Sequence, residues 1–316
     1  MNPRIFAALV LAACSHASQP ASSTVGAPPP EAASATPGAK PAARTASVTT
    51  PAPFAVRVTG HGPPMILIPG LASSGDVWNG TVAHLRERFT CHVLTLAGFA
   101  GQPRIADPML TTVRDALAQY ITAHQLERPV IVGHSLGGFL ALDLAEAHPA
   151  LVGRLVIVDS LPFLPAAINP AATPESMRAS APAIRAGLKA GSPEARRTQL
   201  RGMIATMVTA PTDLDTVLDW GLRSDAGAVA DAMIELFTRD LRPQLSAITA
   251  PALVLASWHG QPSETRDEVA QLFAAQYAAL HGAEIVLAER ARHFIMLDEP
   301  DFLYGQLDRF LARPGR

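Results

Sequence analysis

An α/β architecture, a mostly parallel, doubly wound sheet interrupted by an all-helical insertion, is what the sequence predicts. Three observations carry that expectation. Short apolar runs alternate with helical patterns from residue 54 to residue 160, the rhythm of strands crossed over by helices. Between Asp159 and Pro251 the rhythm stops and only helical periodicities remain. In the middle of the chain, an apolar run meets Gly133-His134-Ser135-Leu136-Gly137, and a helical pattern starts directly afterwards.

Phe54–Thr59 and Met65–Ile68 read as strands on either side of a turn containing Gly60, Gly62 and two prolines. Helical stretches at 79–89 and 108–124 flank a strand at 92–96. Val130, Ile131 and Val132 form the next strand, and Phe139, Leu140, Leu142 and Leu144 mark the helix after it. Leu155–Val158 is a further strand, ending at Asp159. Residues 162–245 carry helical patterns at Glu175–Leu188, Pro193–Val208, Asp213–Leu222 and Val229–Leu241, read as a cap domain. Leu161, Phe163, Leu164, Met177, Met203, Met207, Trp220, Met233 and Phe237 are its large apolar residues, a minority of them expected to line a pocket. Methionine adapts to irregular apolar ligands. Ala252–Ala256 and Ala283–Ala288 complete the strands, and Phe302, Leu303, Leu307, Phe310 and Leu311 define a terminal helix.

Composition bounds the function. The 316 residues are 48% hydrophobic and 16% charged, with a net charge of −2, which offers no basic surface for nucleic acid. The ten histidines are scattered and no cysteine pair has zinc spacing, so no metal site is expected. No phosphate-binding glycine loop occurs, and no cofactor is expected.

The N-terminus reads as an export signal. Arg4 precedes the apolar run Ile5–Ala13, which is too short to span a bilayer. Cys14 follows directly, and Leu11-Ala-Ala-Cys14 resembles the bacterial lipoprotein box. That resemblance implies cleavage before Cys14, lipidation of its sulfur and, with Ser15 next, an outer-membrane position. The expected organisation is a signal at 1–13, an Ala/Pro/Ser-rich tether at 14–53, a core at 54–161 and 246–316, and the cap at 162–245. The tether has almost no large apolar residues and cannot offset its own ordering entropy. Membrane attachment is expected through Cys14 alone. Cys91, at the start of an apolar strand, reads as a small core residue.

Strand, G-x-S-x-G and helix together form a nucleophile elbow, a turn so tight that glycines must flank the serine. The pentapeptide alone is weak; its place between a strand and a helix gives it weight. Ser135 is therefore the candidate nucleophile. His293, on the loop after the last strand, is the candidate base. Pro69-Gly70-Leu71-Ala72 follows a buried strand, where a backbone N–H can meet a developing oxyanion.

Here the chain, from about Phe54 onward, resembles the α/β-hydrolase superfamily, in particular its esterase-like members with a helical cap. The resemblance rests on Ile68-Pro-Gly-Leu71, Gly133-His-Ser-Leu-Gly-Gly138, Leu155-Val-Ile-Val-Asp159, Pro251-Ala-Leu-Val-Leu255 and Arg292-His-Phe-Ile-Met-Leu-Asp-Glu-Pro300. It implies oxyanion donors at the Leu71 and Leu136 amides. Two departures stand out. Pro69-Gly70 replaces the family's usual His-Gly, and Thr95 stands where an aspartate is usual.

The third catalytic group stays open. The family's commonest acid follows the penultimate strand, where this chain reads Ser257-Trp-His-Gly-Gln-Pro-Ser, with no carboxylate. Asp159 is the favoured acid, because some members, including haloalkane dehalogenases, carry theirs at that strand end. Asp267 and Glu264 are the alternatives, although both resemble acids in the first turn of a helix. The expected activity is ester hydrolysis through an acyl-enzyme on a small-molecule substrate with an apolar acyl or aryl group. Lactone, amide or C–C bond cleavage by the same serine, and a non-catalytic envelope binding protein, are the alternatives. Oligomeric state is not legible.

Overall fold

Seven strands form one sheet in the order β1-β3-β2-β4-β5-β6-β7 in a computed structural model that describes residues 52–189, 191–258 and 265–313. The strands are β1 (Phe54–Gly60), β2 (Pro64–Ile68), β3 (Thr90–Leu96), β4 (Val130–His134), β5 (Arg154–Val158), β6 (Ala252–Ser257) and β7 (Glu284–Ala288). All neighbours pair in parallel except β1 with β3. Cys14, Glu264, the leader and nearly all of the tether lie outside the described residues.

Parallel strands are covered by helices on both faces, so they read as unbroken apolar runs. Every residue of β4 and of β6 is buried, as are four of the five in β2 and in β5. The edge strands β1 and β7 are mostly half-exposed or exposed. Cys91 is fully buried in β3, and burial pushes its thiol up to about 11, far from a reactive thiolate.

Strands β1 and β2 flank their turn but do not pair with each other. Strand β3 lies between them, antiparallel to β1 and parallel to β2. The consequence is functional. Strand β2 has β3 on one side and β4 on the other, so the loops leaving β2 and β4 diverge. A crevice opens beyond the carboxyl ends of these strands, the usual ligand position in open α/β sheets.

The core helices are α1 (Asn79–Leu85), α2 (Met109–Ala123) and α3 (Leu136–Ala147). Between β5 and β6 the described residues contain helices and no strand: α4 (Pro165–Ile168), α5 (Pro174–Lys189), α6 (Pro193–Ile204), α7 (Pro211–Arg223) and α8 (Ala226–Thr238). Then follow α9 (Arg266–Gln276), α10 (Ile295–Asp298) and α11 (Pro300–Leu311). Capping sets several starts. The Ser192 hydroxyl accepts from the Ala195 amide, and Asp225 accepts from the Ala228 amide at 2.8 Å. Helix α6 stops at Ile204, short of the Val208 expected from periodicity, because residues 205–209 turn into α7.

Helix α8 fastens the cap to the core through one face, at i, i+4 spacing. Asp231 is almost fully buried and pairs with Arg104 at 3.0 Å and with Arg185. The Glu235 carboxylate accepts the Met109 and Leu110 amides, at 2.5 and 3.1 Å, from the otherwise uncapped first turn of α2. Arg239 pairs with the fully buried Asp143 of α3, which also faces Arg114 at 3.4 Å.

Candidate active site

At the carboxyl end of β4 the backbone turns through Ser135 with φ 52° and ψ −120°, a conformation that costs a non-glycine residue free energy. Neighbouring bonds hold it there. The Ser135 amide donates to the Val158 carbonyl at 3.0 Å, and its own carbonyl accepts the Gly138 and Phe139 amides that start α3. The flanking glycines are steric necessities. A Cβ on Gly133 would strike the Gly137 carbonyl oxygen, and one on Gly137 would strike that of Ile68.

Asp159 leaves the adjacent strand β5 with φ 47°. Its Oδ2 lies 2.7 Å from Nδ1 of His293 and also accepts the Ser257 hydroxyl at 2.8 Å; its Oδ1 accepts the Ser257 amide at 2.8 Å. Burial pushes this carboxyl upward, but the hydrogen bond and charge of His293, with the Ser257 amide, outweigh it and hold the group below its ordinary range. The structure therefore brings Asp159 to His293. Asp267 sits exposed in the first turn of α9, and Glu264 lies outside the described residues.

The loop bearing His293 is braced by the two acids that end it. Glu299 accepts the Arg290 and Ala291 amides, each at 2.9 Å, and Asp298 accepts the Arg292 amide at 2.7 Å. His134, beside Ser135, donates from Nε2 to the His293 carbonyl at 2.9 Å, and the two imidazole rings lie 4.6 Å apart. Burial, then the nearby His293, lowers the His134 imidazole to about 3, so it is neutral at physiological pH and this donor is its only ring proton.

Ser135 and His293 line the same cavity, of about 300 Å³, together with Gly70, Leu71 and Ala72. The backbone amides of Leu71 and Leu136 find no acceptor among the described residues. The cap supplies most of the remaining wall, including Leu200, Met203, Ile204, Met207, Val217 and Met233. Of the large apolar cap residues, Met203, Met207 and Met233 line the cavity, whereas Phe163, Trp220 and Phe237 are buried in packing.

The strained Ser135 turn at the end of β4, sharing one cavity with His293 and its Asp159 partner, is the deciding arrangement, and residues 65–306 match the alpha/beta hydrolase family. The chain belongs to that family. Among curated relatives, a pimeloyl-[acyl-carrier protein] methyl ester esterase of Nitrosomonas europaea is 27% identical over 255 residues, 78% of this chain and 94% of that protein. An uncharacterised protein of Mycobacterium bovis is 37% identical over 108 residues, 34% of this chain; the chain spans only 31% of that relative's length. An esterase from Exiguobacterium antarcticum superposes with a TM-score of 0.68 at 18% identity, covering 82% of this chain and 96% of the other. At that identity the likeness concerns the alpha/beta hydrolase fold.

Two site residues escaped the sequence reading. Ser257 reads as the first residue after the penultimate strand, with nothing to show that its hydroxyl and amide meet Asp159. His134 occupies the variable position of the elbow, where sequence offers no signal beyond proximity to the serine.

Proposed function

We propose that the protein is a serine hydrolase that cleaves carboxylic esters through an acyl-enzyme. The observation that carries this reading is the 2.7 Å contact between Asp159 and Nδ1 of His293, beside Ser135 in one cavity. With its Nδ1 proton held by Asp159, His293 presents Nε2 as the base. It takes the Ser135 proton as Ser135 attacks the ester carbonyl, and Asp159 stabilises the resulting imidazolium. The Leu71 and Leu136 amides receive the oxyanion; preorganised donors of this kind are worth about 3 kcal/mol each. His293 then protonates the departing alcohol, and a water that it activates releases the acid.

The methionine-rich cavity wall suits an apolar acyl or aryl group. The name of the Nitrosomonas relative, an esterase of an acyl methyl ester, supports the same class. Ser135→Ala should abolish hydrolysis of small p-nitrophenyl esters and labelling by a fluorophosphonate while the protein still folds; retained turnover refutes the assignment. A panel of lactones, amides and β-diketones separates ester cleavage from other carbonyl chemistry. Attachment to the cell envelope through lipidated Cys14 is part of the proposal, resting on the Ile5–Ala13 leader. Loss of membrane fractionation in Cys14→Ala checks it.

A further inference from the structure

The loop that carries His293 is hydrogen-bonded to the roof of the cavity through groups that the hydrolytic cycle does not use. Nη1 of Arg292 donates to the carbonyl oxygens of Ala205, at 2.6 Å, and Val208, at 2.8 Å. Ala205 ends helix α6, where carbonyls lack helical partners and carry partial negative charge, so a guanidinium there is matched in both hydrogen bonding and charge. The Arg292 amide donates to Oδ2 of Asp298. Oδ1 of the same carboxylate accepts the amide of Thr209 at 2.8 Å and its hydroxyl at 2.7 Å. The Phe294 amide adds a bond to the Met207 carbonyl at 3.3 Å. The turn 205–209, between α6 and α7, is thus clasped to residues 292–298.

This turn closes the cavity: Met203, Ile204 and Met207 form wall on one side of the clasp, and His293 and Phe294 on the other. Helices α6 and α7 pack chiefly on each other, whereas α8 is fastened to the core by buried ion pairs. The far end of α7 is held separately, by Arg223 donating to the Ala100 carbonyl at 3.0 Å. The clasp is therefore what holds the tip of the α6–α7 hairpin on the histidine loop.

We propose that Arg292 and Asp298 are positioning residues that couple the seating of the acyl chain against Met203 and Met207 to the placement of His293. The proposal rests on the ester-cleaving reading of Ser135 and His293. On this proposal an acyl chain long enough to touch Met203 and Met207 benefits from the clasp and a short one does not; hexanoate and acetate serve as the long and the short ester. Arg292→Ala should therefore lower the ratio of kcat/KM for p-nitrophenyl hexanoate over acetate by about tenfold, the scale of one lost charge-assisted hydrogen bond. Arg292→Lys, which keeps the charge and can reach one carbonyl, should recover most of that ratio. Amide hydrogen exchange in the absence of substrate should rise together at 205–209 and 293–298 in Arg292→Ala, with β4, β5 and β6 exchanging as in the wild type. Equal losses on both esters, no recovery with lysine, or a rise confined to one of the two segments overturns the coupling. If the wild-type protein hydrolyses neither ester, the ester-cleaving reading fails, and the exchange measurement alone decides whether roof and histidine loop move as one.

Discussion

His134 donates its ring proton to the backbone carbonyl of His293 at 2.9 Å, so the residue beside Ser135 holds the loop that bears His293. The link is neutral, because burial lowers the His134 imidazole to about 3. Between that value and the ordinary value near 6.5 the unfolded chain binds a proton that the folded protein does not. The stability contributed by neutral His134 is complete above about pH 6.5 and is lost as pH falls toward about 3, by about 1.4 kcal/mol per pH unit at its steepest. His134→Gln, which offers a comparable N–H without a titrating ring, should flatten the acid limb of a plot of Tm against pH. An unchanged slope rejects the role of this histidine.

Asp159 is the carboxylate hydrogen-bonded to His293, at 2.7 Å. Asp159→Asn leaves an amide that can donate to Nδ1 and favour the wrong tautomer, and kcat should fall roughly a thousandfold or more. Asp267→Asn, at an exposed helix start, should change kcat by less than about twofold. Because the Asp159 carboxyl is held below its ordinary range, its stabilisation is present above about pH 4 and is lost as pH falls through the lowered folded value. Steady-state kinetics on the two variants distinguish the acids directly.

Ser257 supplies both an amide and a hydroxyl to that carboxylate. Ser257→Ala removes the hydroxyl alone, and one hydrogen bond to a charged group is worth about 1.5–3 kcal/mol. The expected outcome is a fall in kcat of about tenfold with little change in KM, since the substrate pocket is untouched. A rise in KM at constant kcat would place Ser257 in substrate binding instead.

Asp143 is fully buried between Arg114 of α2 and Arg239 at the end of the cap. Removing one partner of a buried ion pair leaves uncompensated charge, at a cost of about 3–5 kcal/mol. Asp143→Ala should lower unfolding stability by that order in urea denaturation. It should also loosen α8, because Arg239 loses the carboxylate with which it forms an ion pair.

Much of the fold was legible because parallel strands buried on both faces must be continuous apolar runs, and Val130–Val132, Leu155–Val158 and Ala252–Ala256 are such runs. Strand neighbours were less legible. Nothing in the turn after β1 shows that β3 will insert beside it, since pairing depends on which edge each crossover returns to.

Ser135 could be singled out from local chemistry alone. A serine forced to positive φ between a strand and a helix demands glycines at fixed offsets, and those offsets are visible in Gly133, Gly137 and Gly138. The partners of that serine obey no local rule. Asp159 and His293 are 134 positions apart, and Ser257 lies 98 positions from Asp159, so their meeting depends on β4, β5, β6 and β7 aligning their carboxyl ends side by side. Which carboxylate meets His293 was decided by that alignment, because short-range steric needs leave a signature in the chain, whereas a hydrogen bond between distant strand ends arises only from packing.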